Sequence, residues 1–269
     1  MKIYVDGIGL CGPGLHDWAS GREVLAGNRT YQVDELVLTA SDTLPAAERR
    51  RATAAVKLAI AVSDEAVHGA GVCAADTLSV FASSGGDGAT ITSILETLAT
   101  DARELSPTRF HNSVHNAPAG YWGIATHSRE SATSLCAFDC SFAAGLLEAA
   151  CQALTHQRAV LLAAYDLPYP AVLDAFRPLV NGFGVGLLLS PQPSNRSVAE
   201  CSIALARHCP SVTVLADPAI EALRVGNPAA RSLSLLVALA ESAERTLILD
   251  YAAGNYLKVA LRPAAGGTW

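Results

Sequence analysis

The chain has 269 residues, 51% of them hydrophobic, so it is long enough to bury one large core. Its formal net charge of −6, together with the absence of any run of Lys or Arg longer than the three arginines at 49–51, argues against nucleic acid or an anionic membrane surface as a partner. Charged residues make up only 16% of the chain, and this low share predicts that another protein covers part of the surface.

The N-terminal segment and the cysteines indicate the compartment. No charged region is followed by a long apolar stretch, and no apolar run reaches the roughly 18 residues that a membrane span requires. We therefore expect a cytoplasmic protein without membrane insertion. The seven cysteines are an odd number with no C-x-x-C pair, which favours reduced thiols over a disulfide framework or a zinc site. We accordingly expect neither a metal nor a cofactor.

Along the chain, short apolar runs alternate with longer segments of helical period, which predicts an α/β fold with a sheet buried on both faces. The predicted strands are rich in Val, Ile and Leu and comprise residues 78–83, 131–138, 159–165, 185–190, 198–206, 246–251 and 256–261. The predicted helices are residues 54–68, 141–156 and 229–243. Turn formers at 190–195 predict a boundary between two halves, residues 1–195 and 196–269, packed in one unit.

The segment 83–88 follows a predicted strand and contains three glycines, an arrangement that superficially suggests a phosphate-binding loop. It lacks the Gly-Lys-Ser/Thr ending of such a loop, and Asp87 would repel phosphate. We therefore predict a tight connection in which the glycines let the backbone turn closely.

Two histidines, His111 and His115, are four residues apart, a spacing that places two metal ligands on one face of a helix. No third ligand is evident beside them. The alternative is a capping or interface role, with Asn112 or Ser113 as the N-cap of a helix and His115 near its first turn. The sequence favours this second interpretation.

Cys140 lies where a predicted strand meets the helix predicted at 141–156. A thiol at a helix N-terminus has a lowered pKa, which favours the nucleophilic thiolate, so Cys140 is a candidate acyl site. Asp139 opposes this effect, because a neighbouring negative charge raises the pKa of a thiol. The other interpretation is a vestigial, small buried thiol at a tight turn. The sequence leaves both open.

Three segments carry a family resemblance. The stretch from Cys140 to Asp166 resembles the ketoacyl-synthase pattern of a nucleophilic cysteine, a long helix and a strand, and residues 181–189 resemble the glycine-rich turn and strand of that family. Residues 110–122 (FHNSVHNAPAGYW) are similar to a signature of short ketosynthase-like proteins described as chain length factors, typically of aryl polyene pathways. The resemblance extends from Met1 to about residue 205 and implies a thiolase-like layered αβαβα sandwich with a truncated second half.

The chain departs from that family in two places. Complete ketosynthases add two histidines from the second half, in H-G-T-G-T and G-H motifs, which stabilise the developing oxyanion. Here only His156 and His208 follow Cys140, and neither has such a motif around it. Losing one such donor costs about 100- to 1,000-fold in turnover, so we do not expect condensation by this chain alone. The family's strand also ends in a small-residue pair where this chain has Tyr165 and Asp166.

The resemblance implies a chain length factor that forms a heterodimer with a complete ketosynthase in polyketide or fatty-acid chain elongation. Such a subunit stabilises its partner and shapes the acyl pocket, and an acyl carrier protein visits the complex. The residues that the resemblance places at the substrate pocket or partner interface are Phe110, His111, Asn112, His115, Asn116, Trp122, Phe138 and Phe142. Two alternatives remain open: a stand-alone acyltransferase or thioesterase that uses Cys140 with a histidine such as His115, and a purely structural partner.

Overall fold

The computed structural model describes residues 1–207 and 211–264. His208 therefore lies outside the described residues. The strands are β1 (Lys2–Cys11), β2 (Leu78–Ala82), β3 (Ala132–Leu135), β4 (Val160–Asp166), β5 (Phe183–Ser190), β6 (Ala199–Arg207), β7 (Arg245–Tyr251) and β8 (Asn255–Pro263). The helices are α1 (Trp18–Leu25), α2 (Ala46–Arg51), α3 (Ala54–Ala70), α4 (Gly88–Leu98), α5 (Pro107–Asn112), α6 (Ala117–Thr126), α7 (Ser141–His156), α8 (Ala171–Asp174), α9 (Pro218–Gly226) and α10 (Leu233–Ala240).

The described strands form one mixed sheet in the order β3-β2-β4-β5-β1-β6-β8-β7. Strands β3, β2 and β4 are parallel, whereas every later neighbour in the order is antiparallel. The carboxyl ends of the three parallel strands therefore lie at one end of the sheet, which is where α/β proteins place their functional loops. Cys140 and the segment 83–88 both follow these ends.

Strand β1 is central to the sheet, yet the sequence pattern did not predict it. It pairs with β5 on one side and β6 on the other, and so joins the two halves. Its glycines weaken the strand signal, but they are required because helix α3 crosses very close to the strand. A Cβ atom on Gly7 would lie 2.0 Å from the carbonyl oxygen of Ala66.

Helices cover both faces of the first five strands of the sheet. Helices α3 and α6 pack on one face, in a core that contains Val56, Leu58 and Trp122. Helix α7 packs on the other face, in a second core that it shares with α10 and with strands β7 and β8. The predicted α/β class is thus confirmed, with a helix-covered core on each face of these strands. On the far side of β8, Lys258 and Arg262 are exposed, so the second half is open on that face.

The predicted helix at 141–156 is confirmed with the same bounds, and the one at 54–68 extends to Ala70, where Gly71 ends it with a φ of 67°. The helix predicted at 229–243 begins as a 3-10 turn, Ala229–Ser232, and continues as α10. The predicted boundary at 190–195 lies in the turn between β5 and β6. Among the described helices, none combines the length and the apolar character needed to cross a bilayer.

Candidate functional site

Cys140 lies at the joint where the sequence predicted it. The chain leaves β3, makes a 3-10 turn over Phe138–Cys140 and enters α7 at Ser141. The Ser141 hydroxyl fixes this turn, since it accepts a hydrogen bond from the backbone N–H of Ala137 at 3.0 Å and donates one to the carbonyl oxygen of Phe138 at 2.7 Å. The Cys140 side chain is half-buried.

A network of ion pairs lies beside this turn. Asp139 binds the guanidinium of Arg177 at 2.7 Å and that of Arg231 at 3.3 Å. Arg231 also binds Asp250 at 2.9 Å. Because Arg231 and Asp250 belong to the second half of the chain, the network joins the two halves directly over Cys140.

The space beside Cys140 is almost closed. The cavity has a volume of about 10 Å³, roughly what one water molecule needs. Its lining residues come from both halves and are Asp139, Cys140, Phe142, Ala143, Arg224, Arg231, Leu249 and Asp250. No histidine is among these described side chains. This cavity is too small to hold an acyl chain.

Burial raises the pKa of the Cys140 thiol, and Asp250 and Asp139 raise it further, while Arg231 acts in the opposite direction. The helix N-terminus alone suggested a lowered pKa, so this expectation is corrected: desolvation of the thiolate dominates. The predicted direction of the Asp139 effect is confirmed. A raised pKa lowers the fraction of thiolate, which is the nucleophilic form.

Phe138 lies on the outer side of the same turn. Its φ is 53°, in the left-handed region, and its side chain is 60% exposed. The Arg177 guanidinium carbon lies 3.4 Å from the centroid of its ring, a cation–π contact. Arg177 thus holds both Phe138 and Asp139 from one position.

The two paired histidines do not form a metal site or the predicted cap. His111 is exposed and packs edge-on against Tyr121 with ring centroids 6.2 Å apart, whereas His115 Nε2 lies 3.2 Å from the carbonyl oxygen of Ser83. Asn112 and Ser113 lie at the C-terminal end of α5, and the next helix, α6, has Asn116 as its N-cap, which corrects the prediction of Asn112 or Ser113. Within the ranges 1–207 and 211–264, no group of three His, Cys, Asp or Glu side chains is arranged to hold a metal ion.

The residues predicted for the pocket or interface divide into two groups. Phe110, His111, Asn116 and Phe138 are exposed, and His115 is half-buried. Asn112, Trp122 and Phe142 are buried in this chain. Asn112 donates to the Arg51 carbonyl at 2.9 Å and accepts from the Tyr121 hydroxyl at 3.0 Å, while Trp122 and Phe142 fill the two cores.

A buried carboxylate that sequence reasoning missed holds the segment after β2. Asp166 Oδ1 accepts hydrogen bonds from the Ser83 hydroxyl at 3.0 Å and from the backbone N–H and hydroxyl of Ser84 at 2.7 and 2.8 Å. Burial raises the pKa of Asp166 to about 6, although these hydrogen bonds lower it. The available signal was the departure from a small-residue pair at Tyr165 and Asp166.

The segment 83–88 is a tight connection, as predicted. Gly86 has a φ of 61°, and a Cβ on Gly85 would lie 2.0 Å from the Tyr169 hydroxyl. The thiol of Cys136 donates to the carbonyl oxygen of Ser84 at 3.1 Å. Side chains of this protein therefore already contact the backbone of the segment 83–88, where a phosphate would have to bind.

Of the two histidines that follow Cys140 in the sequence, only His156 lies within the described residues, and it is far from the thiol. His156 is the exposed last residue of α7, a helix of 16 residues, which places it roughly 24 Å from the helix start. His115, the base considered for a stand-alone enzyme, binds the Ser83 carbonyl and does not line the cavity beside Cys140.

Comparisons with known proteins give a family and a fold. The profile of the family described as beta-ketoacyl synthase, N-terminal domain, matches residues 17–246. The chain is similar to one from a ketosynthase in complex with its chain length factor from Xenorhabdus doucetiae, at 19% identity and a TM-score of 0.73, over 97% of this chain and 99% of that one. It is similar to a chain of the ishigamide ketosynthase/chain length factor, at 14% identity and a TM-score of 0.71, over 98% and 100% of the two chains.

A third similar structure is a type II polyketide synthase complex of an acyl-carrier protein with its ketosynthase bound to the hexaketide. The identity there is 8% and the TM-score 0.77, over 98% of this chain and 99% of that one. No curated protein sequence matched the chain. At such low identities these structures establish the fold alone, and they confirm the thiolase-like class with a truncated second half.

Proposed function

Since this chain belongs to the beta-ketoacyl synthase, N-terminal domain, family, we propose that it is a non-condensing subunit of the chain-length-factor type. It pairs with a complete ketosynthase as a heterodimer, stabilises that subunit and shapes the pocket that holds the growing acyl chain. The acyl chain is a polyketide or fatty-acid chain of the aryl polyene type, delivered by an acyl carrier protein. Residues 1–195 and 196–269 act as one unit in this role.

The observation that carries the proposal is the lack of an acyl-sized cavity beside the half-buried Cys140 thiol. A condensing enzyme needs a nucleophile that substrate can reach and positioned donors for the oxyanion. Here the cavity beside Cys140 has a volume of about 10 Å³ and is crossed by the Asp139–Arg231–Asp250 ion pairs. Burial also raises the pKa of this thiol, which lowers the fraction of the nucleophilic thiolate. Each of these features disfavours acylation of this chain.

The two edge strands of the sheet, β7 and β3, differ in a way that supports binding of a partner at the first half. At the β7 end, the backbone N–H of Thr213 donates to the Ile248 carbonyl at 2.9 Å, so another segment of the chain protects that edge. At the other end, β3 pairs only with β2 among the described strands, and its residues are exposed or half-buried. An unprotected edge strand is a template for pairing with a second chain.

Exposed apolar side chains on the first half also support a partner surface there. Phe110 is 64% exposed, Val114 49% and Leu95 57%, and all three lie on or beside helices α4 and α5. The low share of charge in the whole chain fits the burial of such a surface in a complex. Phe110, His111, His115, Asn116 and Phe138 remain our candidates for the contact with the partner and its acyl pocket.

The test is reconstitution. We expect this chain to co-purify in a 1:1 complex with the ketosynthase encoded beside it when only one of the two carries a tag. Condensation that depends on malonyl-loaded carrier protein should require the pair, and this chain alone should be inert. Purification of this chain alone, with turnover of acyl thioesters through Cys140, would overturn the proposal in favour of a stand-alone acyltransferase or thioesterase.

A further inference from the structure

Phe138 has a backbone conformation that bulky side chains rarely adopt. Its φ of 53° lies in the left-handed region, where the Cβ atom is crowded. A residue keeps such a conformation only when its surroundings enforce it, and strain of this kind concentrates at functional positions. The ring is 60% exposed, so burial within this chain does not compensate for the strain.

The surroundings of Phe138 fix the ring in place. The Arg177 guanidinium covers one face of the ring at 3.4 Å from its centroid, and the same guanidinium binds Asp139 at 2.7 Å. Arg231 binds the other oxygen of Asp139 at 3.3 Å. A side chain that is already held in one orientation loses less conformational entropy when it enters a binding pocket.

The position of Phe138 relates this ring to the open edge of the sheet. It follows the last residue of β3, Leu135, by three positions. A partner that pairs with β3 must itself present an unpaired edge strand, which a second protein of the same fold can supply. Exposed aromatic side chains that enter a pocket at the centre of an interface typically dominate its binding energy.

We propose that Phe138 is a preorganised anchor that inserts into an apolar pocket of the complete ketosynthase. This inference rests on the proposed function, and it names the residue on which the pairing depends most. The strain at Phe138 is retained because the ring is displayed for the partner.

Binding of two variants tests the anchor. Phe138→Ala and Phe138→Gly both remove the ring, and each should weaken the complex with the purified ketosynthase at least about 30-fold by surface plasmon resonance. Val214→Ala is the matched control, because Val214 is 66% exposed but lies beside the opposite edge strand, β7. This control should bind within about twofold of the wild-type protein, as expected for a residue outside an interface.

Thermal denaturation of the same variants tests the strain. In an ordinary position Ala is more stabilising than Gly, because Gly loses more conformational freedom on folding. At a left-handed position the order reverses, since the Cβ of Ala is crowded and Gly has none. We therefore expect Phe138→Gly to melt at a higher temperature than Phe138→Ala, although both variants lose affinity equally.

The outcomes separate the two proposals. If the wild-type chain binds the ketosynthase and both variants bind equally well, the anchor is refuted while the proposed function stands. If the wild-type chain does not bind the ketosynthase at all, both fail. Loss of affinity with Phe138→Ala melting above Phe138→Gly overturns the account of a strained anchor, and self-association of this chain that is lost in both variants overturns the choice of partner.

Discussion

Phe138 and Phe142 lie two residues on either side of Cys140 and have opposite environments. Phe138 is 60% exposed and rests on an arginine, whereas Phe142 is 1% exposed and packs in the core around α7. The sequence makes the two positions look alike, since both are aromatic and flank a cysteine. The difference teaches that the turn separates two roles. On its inner side Phe142 packs into the core beside the thiol, and on its outer side Phe138 exposes an aromatic ring.

The largest expected effect is the loss of folding stability when Phe142, on the inner side of the turn, is truncated. Phe142→Ala should lower the free energy of unfolding by about 3–5 kcal/mol, because it leaves a cavity in a packed core. Phe138→Ala is the paired control and should cost about 1 kcal/mol or less, the size of an exposed cation–π contact. Urea denaturation followed by circular dichroism measures both values. Similar losses for the two variants would remove the distinction between the two sides.

The buried carboxylate of Asp166, which holds the segment after β2, should make the stability of the protein depend on pH. Because the pKa of Asp166 is raised from 3.8 to about 6 in the folded protein, the folded state keeps a proton that the unfolded state has already lost between these values. The stabilisation is therefore fully present below the unfolded pKa and is lost as the pH rises through about 6. Asp166→Asn removes this dependence.

The free energy of unfolding of Asp166→Asn, relative to wild type, should accordingly rise by about 2–3 kcal/mol between about pH 4 and about pH 7. Urea titrations at several pH values measure this difference. Asp101→Asn is the control, because it removes an exposed carboxylate without touching the buried network. Curves for wild type and Asp166→Asn that stay parallel over this range would contradict the assignment.

The partial burial of Cys140 should appear as slow alkylation. Cys73, Cys136 and Cys151 are exposed, so iodoacetamide should modify them first, and Cys140 should react at least about tenfold more slowly in mass-spectrometric peptide mapping. Arg231→Ala breaks both ion pairs of Arg231 and should bring the Cys140 rate closer to that of Cys73. Arg245→Ala, which breaks an ion pair with Glu241 elsewhere, should leave the rate unchanged. A Cys140 that reacts as fast as Cys73 in the wild-type protein would mean that the thiol is open.

Much of the fold was predictable from local pattern. Helix α7 has the predicted bounds because its apolar residues repeat with helical period and Cys140 begins it. Strand β1 was missed because of its glycines. These glycines are required by the close approach of α3, whose contacting residues lie more than 50 positions away in the sequence. Local sequence carries no record of such a distant neighbour.

The position of the candidate site was predictable from the sequence, but the ion pairs that surround Cys140 were not. The sequence correctly located Cys140 between a strand and a helix. It did not indicate that Arg231 and Asp250, about a hundred residues later, would close the turn, because ion pairs between distant residues leave no spacing signal. The same holds for Asp166, whose partners Ser83 and Ser84 precede it by more than 80 residues.

The central claim is that this chain supports condensation without using its own thiol. The direct test is the malonyl-dependent condensation rate of the reconstituted complex in which this chain carries Cys140→Ala and the ketosynthase is unchanged. We predict a rate within about twofold of the wild-type complex, since removal of a group outside the reaction leaves the transition-state energy unaltered. Loss of condensation in a complex that still assembles would contradict this account and make Cys140 an acyl carrier.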